Sequence, residues 1–186
     1  MEQTKVLNGI DLIGSVQDDL RYDRIALLTT GSALNRWMMP ALQFINDRFD
    51  LKVLFGAEYG IMGEKEAGER YESYTDVWTG LKVFSLYRFG ASGLSSEMLH
   101  QFDTLIIDIP LTGTRYCSSI STIHALLRQL GGTDKKVLIL DRPNPLGGQE
   151  IDGPVLNASL KLNDDDFALP PRFGLTLGGL CLLMNE

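Results

Sequence analysis

Short apolar runs alternate along this chain with more polar segments. Five of the runs are typical of buried strands, because successive residues are apolar and the run then ends at glycine, proline or small polar residues. They lie at residues 24–30, 51–55, 81–87, 104–109 and 136–140. Four helices are predicted beside them, at residues 37–48, 95–99, 117–130 and 176–185. Two of these, residues 37–48 and 117–130, have apolar residues three to four positions apart, which is the spacing of a helix with one buried face.

This alternation predicts an α/β fold, a Rossmann-like and mostly parallel sheet with helices on both faces. A chain of 186 residues is long enough for one full-sized core and short for two, so we expect residues 1–186 to form one domain. In such sheets, ligands bind outside the carboxyl ends of the strands. The loops that start at Thr29, Gly56, Ile109 and Asp141 are therefore expected to converge on one rim.

Composition and charge exclude several classes of protein. With 44% hydrophobic and 22% charged residues the chain is expected to fold. The formal charge of −7 argues against a nucleic-acid partner. No segment approaches the ~20 consecutive apolar residues of a membrane span. Residues 1–11 lack the apolar core of a secretory signal, so we expect a cytoplasmic protein, or a periplasmic or secreted one whose signal has been removed.

No metal or cofactor is expected. Cys117 and Cys181 are far apart in sequence and belong to no C-x-x-C pair, so neither a disulfide framework nor a zinc site is predicted. His100 and His124 have no partner at a spacing typical of metal ligands. The glycines of residues 56–63 match neither the G-x-G-x-x-G fingerprint nor a P-loop, which argues against a nucleotide.

The run D-R-P-N-P-L-G-G at residues 141–148 follows the last predicted strand directly. Two prolines within three residues prevent both a helix and a continued central strand, and they hold Asp141, Arg142 and Asn144 in fixed directions. The run fits a ligand-facing loop. It fits equally well a tight structural turn in which Asp and Asn side chains bind their own backbone.

Charged side chains follow two other predicted strands. Glu58, between Gly56 and Gly60, is the leading acid/base candidate, with a mobile surface glutamate as the alternative. Glu64, Glu66, Glu69 and Glu72 are interpreted as a solvated charged surface. Asp108 lies near the end of the predicted strand at residues 104–109. Beyond it, Arg115 and Tyr116 at a helix start favour an anionic or sugar ligand, although Arg115 is equally suited to a salt bridge with an aspartate.

Several segments together resemble the DUF1343 (YbbC/NamZ) family, whose members are exo-β-N-acetylmuramidases of peptidoglycan recycling. Residues 25–29 resemble its first strand, and the match continues in order to the end of the chain. The similar segments are 55–63 (family P-E-H-G-I-R-G), 79–87 (T-G-L-P-V-Y-S-L-Y), 104–116 (D-I-Q-D-V-G-x-R-F-Y), 141–147 (D-R-P-N-P-L-x-G), 153–156 (within E-G-P-V-L) and 171–186 (R-H-G-M-T-I-G-E).

The resemblance implies a Rossmann-like N-terminal domain and a smaller second domain, with the active site between them. The implied reaction removes N-acetylmuramic acid from the non-reducing end of peptidoglycan fragments. We expect the second domain to be absent from this chain, so that a second domain or chain would have to complete the cleft around the amino sugar. Glu58 matches the family's candidate acid. The residues expected to bind the substrate are Tyr59, Asp108, Arg115, Tyr116, Asp141, Arg142 and Asn144.

Hydrolysis of such a bond needs a proton donor and stabilisation of an oxocarbenium-like transition state. For the second catalytic role a water-activating carboxylate, a nucleophile and the substrate's own N-acetyl group all remain open.

The chain departs from the family pattern at polar positions. Tyr59 and Met62 replace a histidine and an arginine, Leu111 an aspartate, Phe173 a histidine and Gly179 a glutamate. Two hypotheses follow: a muramidase-like domain with Glu58 as acid, or a noncatalytic saccharide- or partner-binding domain on the same scaffold.

Overall fold

The computed structural model describes residues 6–86, 94–160 and 167–186. Six strands in these ranges form one sheet in the order β3-β4-β2-β1-β5-β6. All neighbouring strands are parallel except β3 and β4. The strands are β1 (Ile25–Thr29), β2 (Leu51–Gly56), β3 (Tyr74–Thr75), β4 (Lys82–Ser85), β5 (Thr104–Asp108) and β6 (Lys136–Ile139).

The four predicted helices are present, and three shorter helical turns precede β1. The α-helices are α1 (Gly9–Leu12), α2 (Gln17–Leu20), α3 (Ala41–Asn46), α4 (Ser96–Leu99), α5 (Ser118–Leu130) and α6 (Leu177–Met184). Short 3₁₀ helices lie at Ile13–Val16 and Ala158–Leu160. Ser95 caps α4 by accepting a hydrogen bond from the Met98 amide, as its position before the helix predicts. The acidic run at Asp164, Asp165 and Asp166 lies outside the described residues.

The sheet is covered on both faces, which confirms the predicted α/β class. Along β1, Ile25 and Leu27 face a cluster that includes the buried side of α3, whereas Ala26 and Leu28 face a cluster that includes α5 and α6. Because successive strand residues point to opposite faces, a strand apolar at every position must be buried from both sides.

The strand order creates a switch point beside β1. The chain builds outward from β1 through β2 to β4, then returns to place β5 on the other side of β1. Crevices at such points, at the carboxyl ends of the strands, are where α/β sheets bind ligands. Of the helices in the described ranges, none is long and apolar enough to cross a membrane.

Candidate active site

Glu58 lies two residues past the end of β2, at the carboxyl rim of the sheet, and is partly exposed. Its Oε1 accepts a hydrogen bond of 2.9 Å from the Gly68 amide. Its Oε2 accepts one of 2.5 Å from the Ser118 hydroxyl, at the start of α5. Two donors from different parts of the rim therefore fix the direction of this carboxyl group while it remains open to solvent.

The loop that carries Glu58 forms a tight turn. Gly60 has a φ of 74° and its amide donates to the Ala57 carbonyl at 3.1 Å. The left-handed backbone favours glycine here, and a Cβ at Gly60 would also lie 2.5 Å from an oxygen of Glu64, whose side chain would have to shift.

Glu64 is exposed, as its interpretation as solvated surface predicts, and its carboxylate also supports this loop. Its carboxylate accepts hydrogen bonds from the Met62 amide at 2.8 Å and from the Tyr74 hydroxyl. Burial acts to raise the pKa of Glu64, but the hydrogen bonds from Tyr74 and from backbone amides outweigh it and lower that pKa. Tyr71 braces the same loop by donating to the Ala57 carbonyl, and burial raises the pKa of Tyr71 to about 12.

Asp108 and Arg142 form a buried ion pair between the ends of β5 and β6. The Asp108 side chain is fully buried, and that of Arg142 is 12% exposed. The guanidinium binds both carboxylate oxygens, at 2.6 and 2.9 Å, and also donates to the Leu34 carbonyl at 3.0 Å. Burial raises the pKa of Asp108, and Arg142 opposes that rise. These two predicted substrate-binding residues thus contact each other and the loop after β1.

Asp141 caps the last helix. One carboxylate oxygen accepts from the Gly178 amide at 2.8 Å, and the other accepts from the Thr176 hydroxyl at 2.6 Å. Thr176 in turn accepts from the Gly179 amide, so two amides of the first turn of α6, those of Gly178 and Gly179, are satisfied. In this arrangement both oxygens of Asp141 are occupied by protein donors.

Asn144 joins three loops. Its amide nitrogen donates to the Phe173 and Leu175 carbonyls at 2.8 and 3.0 Å, and its side-chain oxygen accepts from the Leu146 amide at 2.9 Å. A Cβ at Gly113 would lie 2.3 Å from that oxygen. The bond from Leu146 is of the kind that a structural turn predicts, whereas those to Phe173 and Leu175 join this run to the segment before α6.

Arg115 forms a salt bridge with neither Asp108 nor Asp141, the two aspartates at nearby strand ends. Its guanidinium donates to the Pro154 and Leu169 carbonyls at 2.9 and 3.0 Å, and it also lies 5.6 Å from the centre of the Tyr116 ring. The Tyr116 side chain is 75% exposed and that of Tyr59 is 48% exposed. Both aromatic rings are therefore available at the rim.

The predicted rim loops do converge, through contacts that the sequence does not reveal. Ser118, Gly68 and Glu64, which hold Glu58 and its loop, were not among the predicted site residues. Ser118 could have been predicted to lie near Glu58, because it starts the helix that follows β5 and because β5 and β2 flank the same strand. Phe173, where the resembling family has histidine, is a buried core residue.

The described residues include no group of three side chains suited to holding a metal ion. Cys117 and Cys181 are both free thiols. Burial raises the pKa of Cys181 to about 12, so that thiol is held protonated in the core.

Comparisons with known proteins agree with this architecture. Residues 25–186 match the family described as exo-beta-N-acetylmuramidase NamZ, N-terminal. The peptidoglycan beta-N-acetylmuramidase NamZ of Bacillus subtilis (strain 168) is 33% identical over an alignment of 188 positions, which covers all of this chain and 45% of that protein.

Two solved structures of DUF1343 family proteins from Bacteroides fragilis NCTC 9343 share the fold. One has a TM-score of 0.84 at 30% identity and covers 96% of this chain and 45% of its own. The other has a TM-score of 0.77 at 26% identity and covers 98% of this chain and 47% of its own. This chain thus spans slightly less than half the length of each of these relatives. By its sequence match and its fold, the chain belongs to the NamZ exo-β-N-acetylmuramidase (DUF1343) family and corresponds to its N-terminal region.

Proposed function

We propose that this domain takes part in hydrolysing the bond that links a terminal N-acetylmuramic acid residue to a peptidoglycan fragment, with Glu58 as the general acid. The proposal rests mainly on the position and the hydrogen bonds of the Glu58 carboxyl group. It is partly exposed at the carboxyl end of a central strand and is fixed by two donors. Membership of a muramidase family supplies the substrate class.

The proposed role of Glu58 is to protonate the glycosidic oxygen as the bond to the sugar breaks. General acids of this kind accelerate glycoside hydrolysis because they neutralise the charge that develops on the leaving oxygen. Asp108 and Asp141 have their carboxylate oxygens occupied by Arg142, Thr176 and Gly178, so we assign the second catalytic role to neither.

We propose further that a second domain or a second chain completes the cleft. The relatives are about twice as long as this chain. Large apolar side chains stand exposed in the loops that leave the carboxyl ends of β1, β2 and β5, where an additional layer of protein or a sugar ring would cover them. They are Trp37, Met38, Tyr59, Met62 and Tyr116.

Turnover of a chromogenic nitrophenyl N-acetylmuramide tests the proposal. We expect the parent chain to release nitrophenol and Glu58→Gln to lower kcat. The loss should be smaller than the full general-acid contribution of about 10²- to 10⁴-fold, because nitrophenol is a better leaving group than a sugar hydroxyl. Glu66→Gln is the matched control, since it makes the same change on an exposed residue of the same loop. The assay is run with the domain or chain that completes the cleft present. Absence of turnover under that condition, or equal rates for the parent and Glu58→Gln, would contradict the proposal.

The second candidate function is binding of an amino sugar without catalysis. It is favoured by Tyr59 and Met62, which stand where the family has proton-handling and charged side chains, and by the exposed ring of Tyr116, which could stack on a sugar. Titration of the chain with N-acetylmuramic acid, followed by NMR, separates the two. Saturable shifts at the rim without any turnover of the chromogenic substrate would support the binding function.

A further inference from the structure

The two donors that hold Glu58 differ in chemical kind. The Gly68 amide, 2.9 Å from Oε1, can only donate a hydrogen bond. The Ser118 hydroxyl, 2.5 Å from Oε2, can either donate or accept. If Oε1 carried the proton, it would accept from the Gly68 amide less well than a carbonyl oxygen does. The proton of a neutral Glu58 therefore belongs on Oε2, the oxygen that faces Ser118.

We infer that Ser118 is the positioning residue for Glu58 and stays hydrogen-bonded to it in both protonation states. This inference rests on the proposed function, in which Glu58 is the acid. In the free protein the Ser118 oxygen can accept the Oε2 proton. For transfer, the Oε2–H bond turns from Ser118 towards the glycosidic oxygen, and the Ser118 hydroxyl turns so that it donates to Oε2 and then to the carboxylate that remains.

The proton balance of this step leaves Ser118 unchanged. The O–H bond at Glu58 Oε2 breaks and a new O–H bond forms on the glycosidic oxygen. The bond between that oxygen and the sugar carbon then breaks, and its electron pair stays with the leaving oxygen. Ser118 keeps its own proton throughout, and only the direction of its hydroxyl changes.

Ser118 is well placed for this role because it is the first residue of a rigid element. Helix α5 has 13 residues, and its buried face, with Ile120 and Ile123, packs into the core. The Thr122 hydroxyl donates to the Ser118 carbonyl at 3.3 Å, within the first turn. Glu58, by contrast, lies in a loop, so the helix supplies the fixed point from which its carboxyl group is held.

Steady-state kinetics of Ser118→Ala and Ser118→Thr test the inference. We expect Ser118→Ala to lower kcat about tenfold with little change in KM, the scale expected for a hydrogen bond to a charged group. Ser118→Thr keeps the hydroxyl and should restore most of the lost rate. Ser119→Ala, the same change one residue along α5, should match the parent. Equal kcat for Ser118→Ala and the parent, or no rescue by threonine, would overturn the role of Ser118.

A second readout does not depend on turnover. In protein labelled with ¹³C at glutamate carboxyl groups, the Glu58 signal is assigned by its loss in Glu58→Gln. We expect that signal to shift in Ser118→Ala and to keep its position in Ser119→Ala. If the parent shows no turnover even when its cleft is completed by the second domain or chain, the proposed function fails. The carboxyl signal alone then decides the inference, and an unchanged signal in Ser118→Ala contradicts it.

Discussion

At the scale of single residues, the charged groups at the rim have two different roles. Some hold the fold, and one is proposed to do chemistry. Sequence patterns could place Asp108 and Arg142 at neighbouring strand ends, because both follow apolar runs. They could not show that the two side chains bind each other. That pairing depends on β5 and β6 being adjacent and on the direction of each side chain. Neither can be read from a single sequence.

Removing Arg142 tests the structural role of this pair. We expect Arg142→Met to lower the free energy of unfolding by about 3–5 kcal/mol, because it leaves the Asp108 carboxylate buried without its partner. Lys82→Met is the control, since the Lys82–Glu97 pair is largely exposed and its loss should change stability by about 0–1 kcal/mol. Urea unfolding measures both values. Equal effects of the two substitutions would contradict a buried ion pair.

The same variant should show a distinct pH dependence. Burial raises the pKa of Asp108 above its ordinary value of 3.8, so the folded state holds this proton more tightly than the unfolded chain does. The contribution of Asp108 to the free energy of unfolding therefore falls as the pH rises from 3.8 through the raised pKa. Without Arg142 the pKa rises further, and the destabilisation by Arg142→Met should be smaller at acid pH than at neutral pH. Urea unfolding across a pH series measures the difference in the free energy of unfolding between the parent and Arg142→Met. A difference that stayed constant with pH would refute this prediction.

At the scale of elements, the N-terminal turns are part of the support for the rim. The Gly9 amide, at the start of α1, donates to the Asp141 carbonyl at 2.7 Å. Ile10, Ile13 and Leu20 from this region are buried in the core cluster of α3. The segment therefore closes one face of the sheet beside the loop that follows β6.

Gly9→Ala tests how closely α1 approaches that loop. An added Cβ would lie 2.5 Å from the Asp141 nitrogen and 2.6 Å from the Leu140 carbonyl carbon, both backbone atoms. We expect a loss of about 1–3 kcal/mol, the usual scale of overpacking. At Gly14 a Cβ would meet nothing within 4 Å, so Gly14→Ala should be neutral or stabilising by up to about 1 kcal/mol. A thermal melt of the two variants compares them, and similar Tm values would refute the close approach.

The pattern of apolar residues predicted the helices and strands that are long enough to show it. The five parallel strands and α5 were found within about two residues of their ends, a typical error for such boundaries. The N-terminal helical turns have four residues each and β3 has two, which is too short for a recognisable period. The α3 prediction began too early, because Pro40 stands at the N-cap and the helix starts at Ala41.

At the scale of the whole molecule, the fold and the family are established and the chemistry rests on one side chain. The predicted sheet with two covered faces is present, and relatives of known structure share it. The resemblance in ordered motifs led to the correct family, but it could not tell which motif residues face a ligand. Asp141 and Asn144 belong to its most specific segment, yet their side chains bind helix α6 and neighbouring loops.

The dependence of rate on the leaving group tests the role of Glu58 most directly. A general acid matters most when the leaving oxygen is a poor leaving group, such as a sugar hydroxyl, and least for a dinitrophenolate, which leaves without a proton. Hydrolysis of an N-acetylmuramic acid–N-acetylglucosamine disaccharide and of a dinitrophenyl N-acetylmuramide should be compared in the parent chain and in Glu58→Gln. We predict that the substitution greatly slows the disaccharide reaction and hardly affects release of dinitrophenol. An equal loss with both substrates would show that Glu58 does not donate the proton.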